Sequence, residues 1–149
     1  MVLPLLAVLV FVFIDFGKAV YYYIDLTHVA NEGARIASVS SATLPGGATS
    51  LSAYLCNQLG EAGKSELRTG SSAVDKAKVT ITYDKESDGI TDKTSTGDPV
   101  TVEVKTKYHW IPWTGLGALD VGGSATMRIE NPVSATGTTV ITSGTTQCS

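Results

Sequence analysis

The chain has 149 residues, and 11 Lys and Arg against 14 Asp and Glu give it a formal net charge of −3. This length predicts one compact domain, and the thin spread of basic residues argues against a nucleic-acid partner, which requires a basic face. The two cysteines, Cys56 and Cys148, form no CxxC pair. A four-cysteine zinc site is therefore excluded, while one disulfide between them is possible.

Residues 1–44 predict one long helix. Its first fourteen residues, MVLPLLAVLVFVFI, carry no charge, and the apolar run resumes after Asp15 and continues to Ile24. Asp15 and Lys18 are three positions apart on one helical face, where they can neutralise each other. The pattern predicts a tilted membrane span that ends in a belt of Tyr side chains. We expect the following residues to form the membrane or filament-core surface: Leu5, Leu6, Leu9, Phe11, Phe13, Asp15 and Lys18.

The second half of this helix carries an apolar stripe at alternating intervals of four and three residues, which is typical of a helix packed on one face. Leu44 is followed by Pro45-Gly46-Gly47, which ends the helix. Such a helix would be about 60 Å long, twice the diameter of a small domain, so half of it must project into a membrane or against copies of itself. The stripe, which we expect to pack on a sheet, consists of Tyr22, Leu26, Val29, Gly33 and Ile36.

Residues 45–149 predict an extracytoplasmic α+β head. A short helix carries Cys56, and alternating apolar residues at 79–83, 100–110 and 125–129 predict an antiparallel sheet, with Val140-Ile141 as a short fourth strand. The tail, residues 134–149, has nine Ser or Thr among sixteen residues and is typical of an extended surface segment or a glycan acceptor. The predicted fold is therefore α+β, with a long N-terminal hydrophobic helix packed by its C-terminal half against a small antiparallel sheet.

The sequence contains no catalytic or cofactor-binding signature, and we predict neither an enzyme nor a cofactor. His28 and His109 are far apart and lie outside any HExxH or His/Cys cluster. A weak calcium candidate places oxygen ligands at positions 1, 3, 5 and 9 of an EF-hand-like loop, but Ser95 stands where the bidentate Glu of position 12 belongs, and a solvated hairpin loop is the alternative. Its ligands would be Asp84, Glu86, Asp88 and Asp92.

An aromatic segment, Trp110-Ile111-Pro112-Trp113, has two interpretations. Trp rings supply a large flat area with a polar edge, so the segment could be a sugar-stacking or membrane-interface patch. Alternatively, it is a crossover that packs Trp onto the helix stripe as core.

Three elements of the N-terminal segment resemble the TadE-like minor pilins of tight-adherence (Flp) pilus systems. They are Leu3-Pro4-Leu5-Leu6, Asp15-Phe16-Gly17-Lys18 and the motif Glu32, Gly33, Ala34 and Arg35. Residues 127–130 also resemble the last strand of that family. The resemblance implies an inner-membrane prepilin without catalytic activity, which a prepilin peptidase processes and which acts in pilus assembly or enters a filament.

The resemblance also implies Glu at the fifth position after a pilin-type processing site, and Leu5 stands at that position here. Two explanations stay open. Either the processing site lies upstream of Met1, or incorporation into a filament does not use the usual Glu contact.

The leading functional prediction is a structural pilin-like subunit, held in the inner membrane and then packed through its N-terminal helix into a pilus on the cell surface. Its partners would be copies of itself or other pilins, together with the pilus assembly machinery. One alternative is a monomeric membrane-anchored surface module that binds a glycan or protein ligand. Another is a secreted protein whose signal peptide is cut after Gly17-x-Ala19, so that the mature chain starts at Val20.

Overall fold

The computed structural model describes residues 2–39, 44–60, 65–83, 96–110, 117–130 and 144–148. Within these ranges the helices are α1 (Leu3–Val39), α2 (Leu51–Leu59) and α3 (Ser65–Thr69), with a short 3-10 turn at Pro45–Gly47 before α2. The strands are β1 (Lys78–Tyr83), β2 (Pro99–His109), β3 (Ala118–Arg128) and β4 (Gly144–Gln147). The α+β architecture predicted from the sequence is confirmed.

The strands form one antiparallel sheet in the order β3-β2-β1-β4. The alternation in the sequence sets the buried face, since Val79 lies opposite Val104 and Ile81 lies opposite Val102 in the β1–β2 ladder. All four of these side chains are buried. One apolar face of the sheet must therefore be covered, and α1 and α2 pack on it.

Helix α1 covers the sheet with only the second half of its 37 residues. Ala19 is its first buried residue, and the buried positions then continue to Ser38. Small side chains on this face let the sheet approach the helix closely. The contact is tightest at Gly123 of β3, where an added Cβ would lie 2.4 Å from the Thr27 Cα, so only glycine fits at this position.

Helix α2 packs beside α1 and is tied to the C-terminal end of the described chain. The Ser50 hydroxyl accepts a hydrogen bond from the Ala53 amide and caps its first turn. Cys56 on α2 and Cys148, directly after β4, form a disulfide with a Cα–Cα distance of 5.3 Å. This bond holds the β4 edge of the sheet against α2.

Several elements differ from the prediction. The described part of α1 ends at Val39, whereas the sequence pattern predicted a helix reaching Leu44, and residues 40–43 lie outside the described ranges. The fourth strand is Gly144–Gln147 within the Ser/Thr-rich tail, and the predicted strand at Val140-Ile141 lies outside the described residues. Consequently, the strand that ends at Arg128, which resembled a last strand, is followed by another.

Candidate functional site

The first part of α1 is an uncovered apolar rod. We call residues 2–18 the bare segment and residues 19–39 the covered segment. The large hydrophobic side chains between Val2 and Phe16 are 45% to 80% exposed. An 18-residue window of α1 has a mean hydropathy of 2.2 and little burial, so this helix is long and apolar enough to cross a membrane. Six of the seven predicted membrane or filament-core residues lie exposed here, and Asp15 is half-buried. The exposed six are Leu5, Leu6, Leu9, Phe11, Phe13 and Lys18.

A polar contact ties the bare segment to the head at Asp15. The Tyr108 hydroxyl, on β2, donates a hydrogen bond to the Asp15 carboxylate, although the two residues are 93 positions apart. Burial, followed by this carboxylate, raises the pKa of Tyr108 above its ordinary value, so the phenol stays protonated and remains a donor. Lys18 lies exposed three residues later. Its ion pair with Asp15, suggested by the spacing, stays a prediction.

Aromatic side chains cluster near the first turn of α1 that packs against the head. The rings of Tyr22 and Tyr108 have centroids 5.7 Å apart, and so do those of Tyr108 and Trp110. Tyr21 stands edge-on to Tyr22. The Tyr22 hydroxyl donates to the Glu66 carboxylate at 2.5 Å, which links α1 to α3. We call Tyr21, Tyr22, Tyr108 and Trp110 the aromatic row.

The Glu32-Gly33-Ala34-Arg35 motif lies on the covered segment and divides into inward and outward residues. The Tyr54 hydroxyl of α2 donates to Glu32 Oε1 at 2.7 Å. A Cβ added to Gly33 would lie 2.8 Å from Leu55 Cδ1, and Ala34 is fully buried. Arg35 is exposed. Three of the four motif positions thus fasten α1 to the head, and Arg35 points outwards.

The predicted stripe on α1 faces the sheet and α2. Tyr22, Leu26, Val29 and Gly33 are buried, and Ile36 is half-buried against the same core. Sequence reasoning missed Tyr108 as the partner of Asp15, because parity assigned it only to the buried face of a strand. The apolar Asp15 neighbourhood was the one available signal, since a carboxylate there requires a donor.

The remaining candidates contribute no site among the described residues. The calcium candidates Asp84, Glu86, Asp88 and Asp92 lie outside the described ranges, as does Trp113. The described part of the chain contains no group of three or more His, Cys, Asp or Glu that could hold a metal ion. His109 is half-buried, and its Nε2 lies 3.0 Å from the Asp75 carboxylate.

A long N-terminal helix that is apolar enough to cross a membrane, joined to a small α+β head, is consistent with a pilin-like architecture. Residues 1–35 match the model of the TadE-like protein family. The resemblance of the N-terminal segment to the TadE-like family is therefore confirmed over these residues, and it points to a pilus-associated protein. None of the curated proteins or solved structures compared with the chain matches it.

Proposed function

We propose that the chain is a structural subunit of a surface pilus or filament. Before assembly the bare segment anchors it in the inner membrane, and after assembly the same segment packs against other subunits. The observation that carries this proposal is the bare segment itself, because its large apolar side chains are exposed while the covered segment of the same helix is packed against the head.

Exposed apolar surface of this extent does not persist in water. Its burial stabilises by roughly 25 cal/mol per Å², whether the new surroundings are lipid or neighbouring helices. One surface therefore serves both stages in turn. No cofactor is required, because burial of apolar area supplies the interaction.

The charged residues of the bare segment must be accommodated in both surroundings. An unpaired charge in an apolar bundle is costly, and Asp15 already accepts a hydrogen bond from Tyr108 of its own head. Lys18 reaches outwards, where its long side chain can extend to the membrane surface or to a carboxylate of a neighbouring subunit. The partners are thus the membrane, other pilins or further copies of this chain, and the machinery that moves subunits between them.

Electron microscopy of fibres tests the proposal. We expect fibres that contain the chain. Replacing Leu9 by Arg should abolish them, whereas replacing the exposed strand residue Thr126 by Arg should leave them intact. A detergent-solubilised chain that stays monodisperse and never enters fibres would favour the monomeric binding module instead. An intact mass equal to that of a chain starting at Val20 would establish that the protein is secreted after removal of a signal peptide.

The charge of the bare segment has its own test. Lys18→Ala should reduce fibre incorporation or membrane insertion far more than Lys78→Ala, which removes an exposed lysine from β1. Equal effects of the two substitutions would refute a special role for the charge at position 18.

A further inference from the structure

The uncovered apolar face of α1 does not stop where the head begins. Beyond Ala19, the first buried residue, Val20, Tyr21, Tyr23 and Ile24 are still 39% to 59% exposed. Asp25 is buried, and the next exposed polar side chain on the helix is His28. The surface suited to lipid therefore extends nine residues beyond Asp15, to Ile24, although Asp15 already contacts the head.

The end of the sheet that lies beside this stretch is itself apolar. Trp110, at the end of β2, and Leu119, at the start of β3, flank α1, and Leu119 is 44% exposed. Between helix and sheet is a cleft of about 240 Å³. Its lining is Phe16, Ala19, Val20, Tyr23, Trp110, Leu119, Asp120, Val121 and Gly122.

Charge at the rim of the cleft limits how deep this end can enter a membrane. Asp120 is exposed and lies opposite Lys107 in the β2–β3 ladder, where opposite charges are favourable neighbours. Lys18 on the helix can extend to the polar layer. Tyr and Trp side chains favour the boundary between hydrocarbon and water, where the exposed rings of Tyr21 and Tyr23 and the half-buried Trp110 would lie. This end suits the interfacial layer and not the hydrocarbon centre.

We propose that the head lies against the membrane before assembly, with Trp110 and Leu119 in the interfacial layer of the phospholipid bilayer and a lipid acyl chain in the cleft. The inference rests on the proposed membrane stage of the function. Lipid is the occupant because the cleft is continuous with the exposed apolar face of the helix that anchors the chain.

Fluorescence quenching in vesicles tests the contact. The chain has two Trp residues, so the Trp113→Phe variant keeps Trp110 as the single reporter. The full chain is reconstituted in phosphatidylcholine vesicles, at a large lipid excess, with lipids brominated near the top of the acyl chain. The control carries W110F, W113F and T126W, because Thr126 is exposed on β3 near the end of the strand away from Leu119. We expect several-fold stronger quenching in the first variant than in the control.

Three results would overturn the inference. Flotation of the chain with the vesicles distinguishes a failure of the inference alone from a failure of the proposed function. Equal, weak quenching of both reporters in a chain that floats would show a head held clear of the bilayer, with anchoring intact. Strongest quenching by lipids brominated at the chain end would place Trp110 in the hydrocarbon centre instead. A chain that does not float would refute the membrane stage of the proposed function together with the inference.

Discussion

The two halves of α1 are both rich in apolar residues, yet one is bare and the other is covered. The bare segment carries Leu, Val and Phe around its whole circumference, whereas the buried face of the covered segment includes Ala30, Gly33, Ala34 and Ala37. Hydrophobicity alone does not distinguish the two. Side-chain size does, because a sheet packs closely only where small residues leave room for it.

Truncating a leucine in each half should give the sharpest contrast. Leu26 is fully buried, so Leu26→Ala should cost about 2–5 kcal/mol of unfolding free energy through the lost contacts and the cavity. Leu9 is 52% exposed, and Leu9→Ala should change that free energy by no more than about 0.5 kcal/mol. Urea unfolding of the detergent-solubilised chain measures both. Similar losses would mean that the bare segment is packed against the head.

Removing the disulfide should lower the unfolding free energy of the head, on which the covered segment packs, and leave the bare segment unaffected. Cys56 and Cys148 are 92 positions apart, and the loop-entropy model gives up to roughly 4–5 kcal/mol for a loop of this size. The C56S/C148S variant should therefore unfold at lower urea, while the helical signal of the bare segment in detergent persists. An unchanged midpoint would show that the closed loop does not restrict the unfolded chain.

Enlarging a glycine should have different consequences in the two halves. Gly33 faces Leu55 and Val102, both fully buried, so Gly33→Val should overpack the interface and cost about 1–3 kcal/mol. Gly17 has no atom within 4 Å of an added Cβ, and Gly17→Val should stabilise the helix by up to about 0.5 kcal/mol. Thermal unfolding of the pair measures the difference. A loss at position 17 as large as at position 33 would contradict the size argument.

The hydrogen bond at the border of the two halves should contribute measurably. Tyr108→Phe removes the donor to Asp15 and should cost about 1.5–3 kcal/mol, whereas Tyr23→Phe alters an exposed ring and should cost almost nothing. Because the pKa of Tyr108 is raised in the folded state, its contribution is present below the ordinary value of about 10 and is lost as the pH rises above it. Unfolding at increasing alkaline pH should therefore show a smaller decline in Tyr108→Phe than in the parent.

The smallest expected effect is the difference in stability between substitutions of Glu32 and Arg35, two residues of the TadE-like motif. Glu32→Ala removes the acceptor of the Tyr54 hydroxyl and should cost about 1 kcal/mol, since the contact is part-buried. Arg35→Ala should leave stability within about 0.5 kcal/mol, because the side chain is exposed. If Arg35→Ala still impairs fibre formation, the outward position contacts a partner. Equal losses of stability would mean that the motif acts as one packing unit.

Much of this fold could be predicted from periodicity. The intervals of four and three residues identified the buried face of α1, and strict alternation identified Val79, Val102 and Val104 as the buried face of the sheet. These patterns are local, so a single sequence contains them. The candidate surface at Leu5 to Phe13 followed in the same way, from an uninterrupted apolar run.

The missed features depend on contacts between distant residues. Strand β4 has four exposed, mostly polar residues and no alternation, and it exists because its backbone pairs with β1 and Cys148 is bonded to Cys56. Helix α3 has only five residues, too few for a helical period. The partner of Asp15 lies 93 positions away, and no spacing rule joins such a pair.

The bond between Cys56 and Cys148 also determines how the molecule would respond to mechanical load along a fibre. Tension that enters through α1 cannot unravel the chain between the two cysteines, which removes 92 residues, or about 300 Å of extended length, from the possible stretch. Only the chain outside that covalent ring can lengthen. A subunit under such tension would extend by detaching α1 from the sheet, and α1 would pack on the sheet again once the tension was removed.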